Sequence, residues 1–245
     1  IGVDRESETY TWEPHGERDI ATWCLGNGFA AICVEQRGLG ERVETIQTSL
    51  SDHPCQDAAM RSLVLGRTLL GERLYDLGIV TQYLKDQHPN ELTIGVMGHS
   101  FGGATSVVSS WNDTRISACL NLDGWFVPIV DDIINTGLKI PFCYVGQESW
   151  DGAPLNYPKL DTFYKNCQSD TYILKIKGTE HFDYADLPYF SKIGRMIASG
   201  DAVDKDFTIR LSDMIVGFFD EYLKDNTYNW TEYIIDNYDT SIRFK

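Results

Sequence analysis

Gly98-His99-Ser100-Phe101-Gly102-Gly103 places a serine among three glycines where two different residue patterns meet. An apolar run, Leu92 to Gly98, leads into it, and a helical pattern, Gly102 to Ser110, leads out. A serine between glycines at a strand-to-helix junction reads as a sharp turn that strains the serine backbone and pushes its hydroxyl into the open. On this reading a Cβ at Gly98 or at Gly102 collides with neighbouring backbone. The rival reading, a phosphate-binding turn, needs the spacing G-x-G-x-x-G, which the segment lacks.

Apolar runs of strand length recur along the chain at Phe29 to Glu35, Leu92 to Gly98, Ile116 to Asp123, Pro141 to Gly146 and Thr171 to Lys177. Near-continuous hydrophobicity is what a parallel strand covered on both faces requires. Between the runs lie amphipathic segments: Asp57 to Gln87, read as two helices, then Gly102 to Ser110, Asn156 to Cys167 and Asp206 to Lys224. Alternation of strand and helix predicts an α/β protein with a mostly parallel sheet and helices on both faces. With the serine turn at a strand end, that is the α/β-hydrolase fold. Residues 1–245 read as one domain, with 225–245 as an aromatic, acidic tail packed on it. The stretch before Phe29 holds no convincing apolar run, so the sheet is expected to lack its first strands.

Composition narrows the partners. The chain has 36 Asp and Glu against 21 Lys and Arg, a formal charge of −15, which opposes nucleic acid and anionic membrane surfaces. No apolar stretch approaches the roughly 18 residues of a membrane span, and the beginning is polar rather than leader-like. Compartment and oligomeric state stay open. Six cysteines, at 24, 33, 55, 119, 143 and 167, show no metal-ligand spacing, so no metal is expected. Cys33, Cys119 and Cys143 lie in apolar runs and read as buried thiols.

A serine hydroxyl needs a base. Of five histidines, His15, His53 and His88 read as surface residues, and His99 leaves the turn in another direction, where it packs or orients the loop. His181 follows the Thr171 to Lys177 run late in the chain, where the order serine, acid, histidine puts the base. The acid must fix the histidine tautomer and stabilise the imidazolium. Asp123, Glu148 and Asp151 all follow strands at the same sheet edge, and the pattern alone does not separate them.

These residues carry a resemblance. Gly98 to Thr105, Leu122-Asp123-Gly124-Trp125, Ile176 through His181 to Asp186, and Asp201 to Leu223 resemble the lipoprotein-associated (plasma-type) platelet-activating factor acetylhydrolases over roughly the last three fifths of the chain. The resemblance selects Asp123 as the acid and completes a triad of Ser100, Asp123 and His181. It implies short-chain acyl esters as substrate and neither metal nor organic cofactor. Asn27 to Arg42 and Leu65 to Gly71 look more like bacterial acetyl-xylan esterases and dienelactone hydrolases.

The expected chemistry is acyl transfer to Ser100 and then to water, with the Phe101 backbone N–H in the oxyanion hole. A second donor normally comes from a loop after an earlier strand, and His15-Gly16 is the one His-Gly pair near the start. Losing one such donor costs about 2.7–4 kcal/mol. Trp125 to Gly137 reads as a pocket lining, a lid or a helix packed on the sheet. Arg37 and Arg42 are given no catalytic role. Thioesterase, phospholipase and peptidase chemistry use the same triad. The alternative from another class is a catalytically impaired relative that binds a ligand or partner without turnover.

Overall fold

Four apolar runs become the parallel strands β1 (Ile94–His99), β2 (Ile116–Leu122), β3 (Phe142–Gln147) and β4 (Thr171–Ile176). The computed structural model describes residues 20–43, 54–89, 92–185, 199–204, 206–226 and 229–245. Among these, the sheet order is β1-β2-β3-β4-β5, and β5 (Thr240–Phe244) runs antiparallel to β4 with Tyr172 opposite Phe244. Consecutive parallel neighbours bring the carboxyl ends of β1 to β4 to one edge, where the loops that follow them converge.

Alternation along the strands explains the two covered faces. Ala118, Leu120 and Leu122, with Cys143, Val145, Tyr172, Leu174 and Ile176, pack on Phe207, Leu211, Met214, Ile215 and Phe218 of α7 (Phe207–Lys224). The intervening residues face the other way. Asn121 meets α4 (Phe101–Asn112), and Phe142 stands edge-on to Phe163 of α6 (Asn156–Asn166), with ring centroids 5.2 Å apart. α5 (Asp131–Thr136) buries Ile133 and Ile134. α1 (Ile20–Gly26) joins this unit through Trp23, whose indole N–H donates to Asp213 at 3.0 Å.

The segment 225–245 does more than lie on the surface. It forms α8 (Trp230–Asn237) and then β5, closing the sheet beyond β4. Trp230 is fully buried, 4.8 Å from the Tyr172 ring and 5.7 Å from Phe218, and its N–H donates to Glu221 at 2.6 Å.

Residues 33–92 form a second compact unit. It contains α2 (Pro54–Val64) and α3 (Leu69–Gln87); Thr68 caps α3 by accepting from the Gly71 N–H at 3.0 Å. Arg37 grips Asp76 through two bonds of 2.8 Å and also pairs with Glu72, while Arg42 reaches Asp76 at 2.7 Å. These arginines hold carboxylates within their own unit.

Two expectations are corrected. Phe29 to Glu35 is not a strand: no ladder partner is found among the described residues, and Ile32 is 52% exposed. An apolar run becomes a strand only where a neighbour satisfies its N–H and C=O groups, and periodicity cannot supply that neighbour. Phe29 instead packs against the core, with the Lys224 ammonium 3.5 Å above its ring. Cys33, on the same run, is exposed, whereas Cys119 and Cys143 are buried as read; all six cysteines are free thiols. Among the described residues no helix is long and apolar enough to cross a membrane.

Trp230→Ala is expected to lower stability by about 3–5 kcal/mol, because it empties a large buried site whose neighbours belong to strand and helix alike. The drop is read from the denaturant midpoint of urea unfolding, and a loss below about 1 kcal/mol places the 225–245 segment outside the cooperative core.

Candidate active site

Ser100 sits at the turn between β1 and α4 with φ 56° and ψ −121°. For a residue with a Cβ this backbone costs on the order of 1–3 kcal/mol, and it persists only where surroundings hold it. Here the Ser100 N–H donates to Leu122 O at 3.1 Å, and the Ser100 carbonyl accepts from Trp125 at 2.9 Å and from Gly103 at 3.0 Å. The end of β2 and the first turn of α4 thus pin the turn from both sides. Gly98 has no room for a side chain: a Cβ there would lie 2.4 Å from the Gly102 backbone. The same expectation for Gly102 is wrong, since its Cβ would meet nothing within 4 Å. The crowded helical glycine is Gly103, whose Cβ would lie 2.6 Å from Asn121 Oδ1 and 2.8 Å from Gly124 Cα. Sequence spacing marks the glycines, but only the packing of α4 on β2 says which one is squeezed.

Asp123, directly after β2, also has positive φ, 41°. Its carboxylate is fully buried, so its lost hydration has to be replaced by donors. Oδ1 accepts from Tyr144 Oη at 2.9 Å, the Gln147 backbone N–H at 3.0 Å and Trp150 Nε1 at 3.1 Å. Oδ2 accepts from Gln147 Nε2 at 2.8 Å and from His181 Nδ1 at 2.6 Å. Burial, reinforced by Asp123 itself, pushes the Tyr144 phenol well above its usual range, so it stays a donor. Gly146 makes space for this cluster, because a Cβ there would lie 2.3 Å from Asp123 Oδ1.

His181 opens the short turn His181–Tyr184 and lies with Nε2 2.9 Å from Ser100 Oγ. With Nδ1–H given to Asp123, Nε2 is the acceptor and the serine hydroxyl donates to it. The Asp183 carboxylate steadies this loop by accepting from Glu180 N–H at 2.7 Å and Gly200 N–H at 2.9 Å. Trp150 stands edge-on against the His181 ring at 4.8 Å. His99 sends Nε2–H to the His181 carbonyl at 2.9 Å, and burial, then the neighbouring His181, pushes its pKa down to about 4.

The structure therefore brings Ser100, His181 and Asp123 into one hydrogen-bonded chain. Glu148 and Asp151 are exposed and contribute nothing to it. Phe101 is the first residue of α4, its ring 6.2 Å from that of Trp125. Trp125 is 37% exposed, whereas Phe126 and Ile129 are core residues, Phe126 packing on Phe142, Tyr144 and Phe163. His88 is exposed at the end of α3; His15, Gly16 and His53 lie outside the described residues. Sequence reasoning missed Tyr144, Gln147 and Trp150, having weighed that strand end only for its carboxylates. Among the described residues no group of three or more His, Cys, Asp or Glu is placed to hold a metal ion.

Residues 31–242 match the family model described as platelet-activating factor acetylhydrolase, isoform II. The chain belongs to this family. The platelet-activating factor acetylhydrolase of Cavia porcellus is 25% identical over 155 residues, 62% of this chain and 35% of that protein. The Gallus gallus protein of the same name is 29% identical over 117 residues, 48% of this chain and 25% of its own length. The match thus spans about a quarter to a third of these relatives. A ferulic acid esterase from Streptomyces cinnamoneus shares the fold with a TM-score of 0.55 at 21% identity, over 72% of this chain and 54% of that one. The fold is of the α/β-hydrolase type, and the family resemblance read from the elbow and the Leu122 to Trp125 segment holds.

Gly98→Ala is expected to destabilise the protein by more than about 2 kcal/mol through its backbone clash, whereas Gly102→Ala stays within about 1 kcal/mol of the parent. Equal losses in urea unfolding would contradict the packing described. For His99, the folded-state value lies below the usual 6.5, so the unfolded chain binds the proton first. Stability is full above about pH 6.5 and falls toward pH 4 by about 3 kcal/mol from this group. His99→Gln removes that share, so its urea midpoint should decline less between pH 7 and pH 4 than the parent's.

Proposed function

We propose that this chain hydrolyses carboxylic esters through an acyl intermediate on Ser100, with His181 as general base and acid and Asp123 as the group that orients it. The single observation carrying the reading is the hydrogen-bonded chain from Ser100 Oγ through both His181 nitrogens to the buried Asp123, built on a strained turn. Strain and burial of this kind cost stability and are kept where chemistry uses them.

The steps follow from the protons. Ser100 Oγ attacks the ester carbonyl while its proton passes to His181 Nε2. The imidazolium so formed faces Asp123 across 2.6 Å, which favours its charge. The oxyanion takes the backbone N–H of Phe101, at the positive end of α4. As the tetrahedral centre collapses, Nε2–H protonates the departing alkoxide, and the alcohol leaves. Water then attacks the acyl-serine, His181 accepts its proton and returns it to Ser100 as the acid departs. No metal or organic cofactor takes part in these steps. Short acyl groups are the proposed substrates, a choice supported by membership in a family described as acetylhydrolases.

The test is turnover of p-nitrophenyl esters from acetate to octanoate. The parent is expected to prefer acetate. Ser100→Ala should fall on the order of 10⁴-fold or more in kcat, and Asp123→Asn on the order of 10⁴-fold. A folded parent no faster than Ser100→Ala would overturn the serine reading. A preference for octanoate would overturn only the acyl-length assignment.

A further inference from the structure

Resting on the reading of His181 as the base for Ser100, we propose that His99 is a positioning residue: its bond to the His181 carbonyl holds the base in line with the nucleophile. His99 and Ser100 are adjacent in the chain, one ending β1 and the other beginning the turn. His99 Nε2 lies 2.9 Å from His181 O, and Ser100 Oγ lies 2.9 Å from His181 Nε2. Two neighbouring residues therefore grip one histidine at both ends, its peptide and its imidazole. The result is a small closed ring of bonds. Movement of the loop away from the elbow strains both bonds at once.

The other side-chain restraints act on the ring or on the chain before it. Asp123 takes Nδ1 of the His181 ring, Trp150 lies against the ring edge, and the Asp183 carboxylate holds the peptide N–H before His181. The His99 bond acts on the His181 carbonyl itself. A carbonyl oxygen only accepts, so His99 carries its proton on Nε2 and leaves Nδ1 bare. Its ring lies 4.6 Å from the His181 ring at 33°, and burial keeps it neutral. Neutrality matters because His181 becomes a cation during turnover, and a second cation that close would oppose it. His99 thus combines a donor with the right reach and no charge.

Three substitutions separate this role from packing. His99→Gln places an amide N–H near the position of Nε2, His99→Asn carries the same amide one methylene too short, and His99→Phe fills the space without a donor. With p-nitrophenyl acetate, Asn and Phe are expected to lower kcat roughly ten- to hundredfold with KM little changed, the size of effect that a misplacement of about 1 Å produces. Gln is expected to recover most of the loss. In proton NMR the downfield His181 Nδ1–H should stay sharp in the parent and Gln variant and broaden in Asn and Phe, with thermal unfolding as the check on fold.

Parent-like kcat and a sharp proton in His99→Phe would overturn the proposal, as would a Gln variant no better than Asn. If His99→Phe does not fold, the Gln and Asn pair decides. If none of the three folds, His99 is a packing residue and the proposal falls. A parent that neither turns over ester nor reacts with a phosphonate at Ser100 defeats the serine-hydrolase reading, and the His181 proton still decides the positioning claim.

Discussion

The Asp123 carboxylate is a charge without water, and much of the site is the consequence of compensating it. An uncompensated buried charge costs several kcal/mol, more than most single contacts return. Tyr144 and Gln147 from β3, Trp150 from the loop beyond and His181 from the loop after β4 all donate to it. Together they tie the ends of β3 and β4 to that of β2. Gly146 must lack a side chain for them to approach, and Asp123 must adopt positive φ to present both oxygens. The carboxylate that meets His181 is also the knot that gathers three strand ends.

Topology makes this gathering cheap. Parallel neighbours in the order β1-β2-β3-β4 leave their carboxyl ends side by side, so Ser100, Asp123, Gln147 and the His181 loop emerge along one edge. The strained Ser100 turn is then held by main-chain bonds to β2 and by close approach of α4, which requires Gly98 and Gly103. Beneath it, α7 and α8 bury the opposite face through Phe207, Phe218 and Trp230. That core carries the cost of the strain above it.

Legibility in the sequence followed range. The four parallel strands were readable because each is a continuous apolar run long enough to be covered on both faces, and the elbow because two glycines and a serine interrupt such a run at its end. Phe29 to Glu35 shows the same composition without a ladder partner among the described residues and is no strand. The chain after Asp225 shows little periodicity, yet it supplies β5, because an edge strand needs only one ladder and a few apolar contacts, such as Phe244 stacked on Tyr172 at 4.5 Å.

By itself the sequence determined the serine turn, the order in which serine, acids and histidine follow one another, and the alternation that demands a parallel sheet. These are local: they depend on residues a few positions apart. Among Asp123, Glu148 and Asp151 the residue pattern left the choice open and the family resemblance pointed to Asp123; the folded sheet sets Asp123 against His181, crowds Gly103 rather than Gly102, and surrounds the pair with Tyr144, Gln147, Trp150 and His99. Those facts depend on distances between residues up to 82 positions apart, as from His99 to His181. Hydrogen bonds are lost within an ångström of misplacement, and no spacing along a chain encodes distance to that accuracy before the sheet has set it.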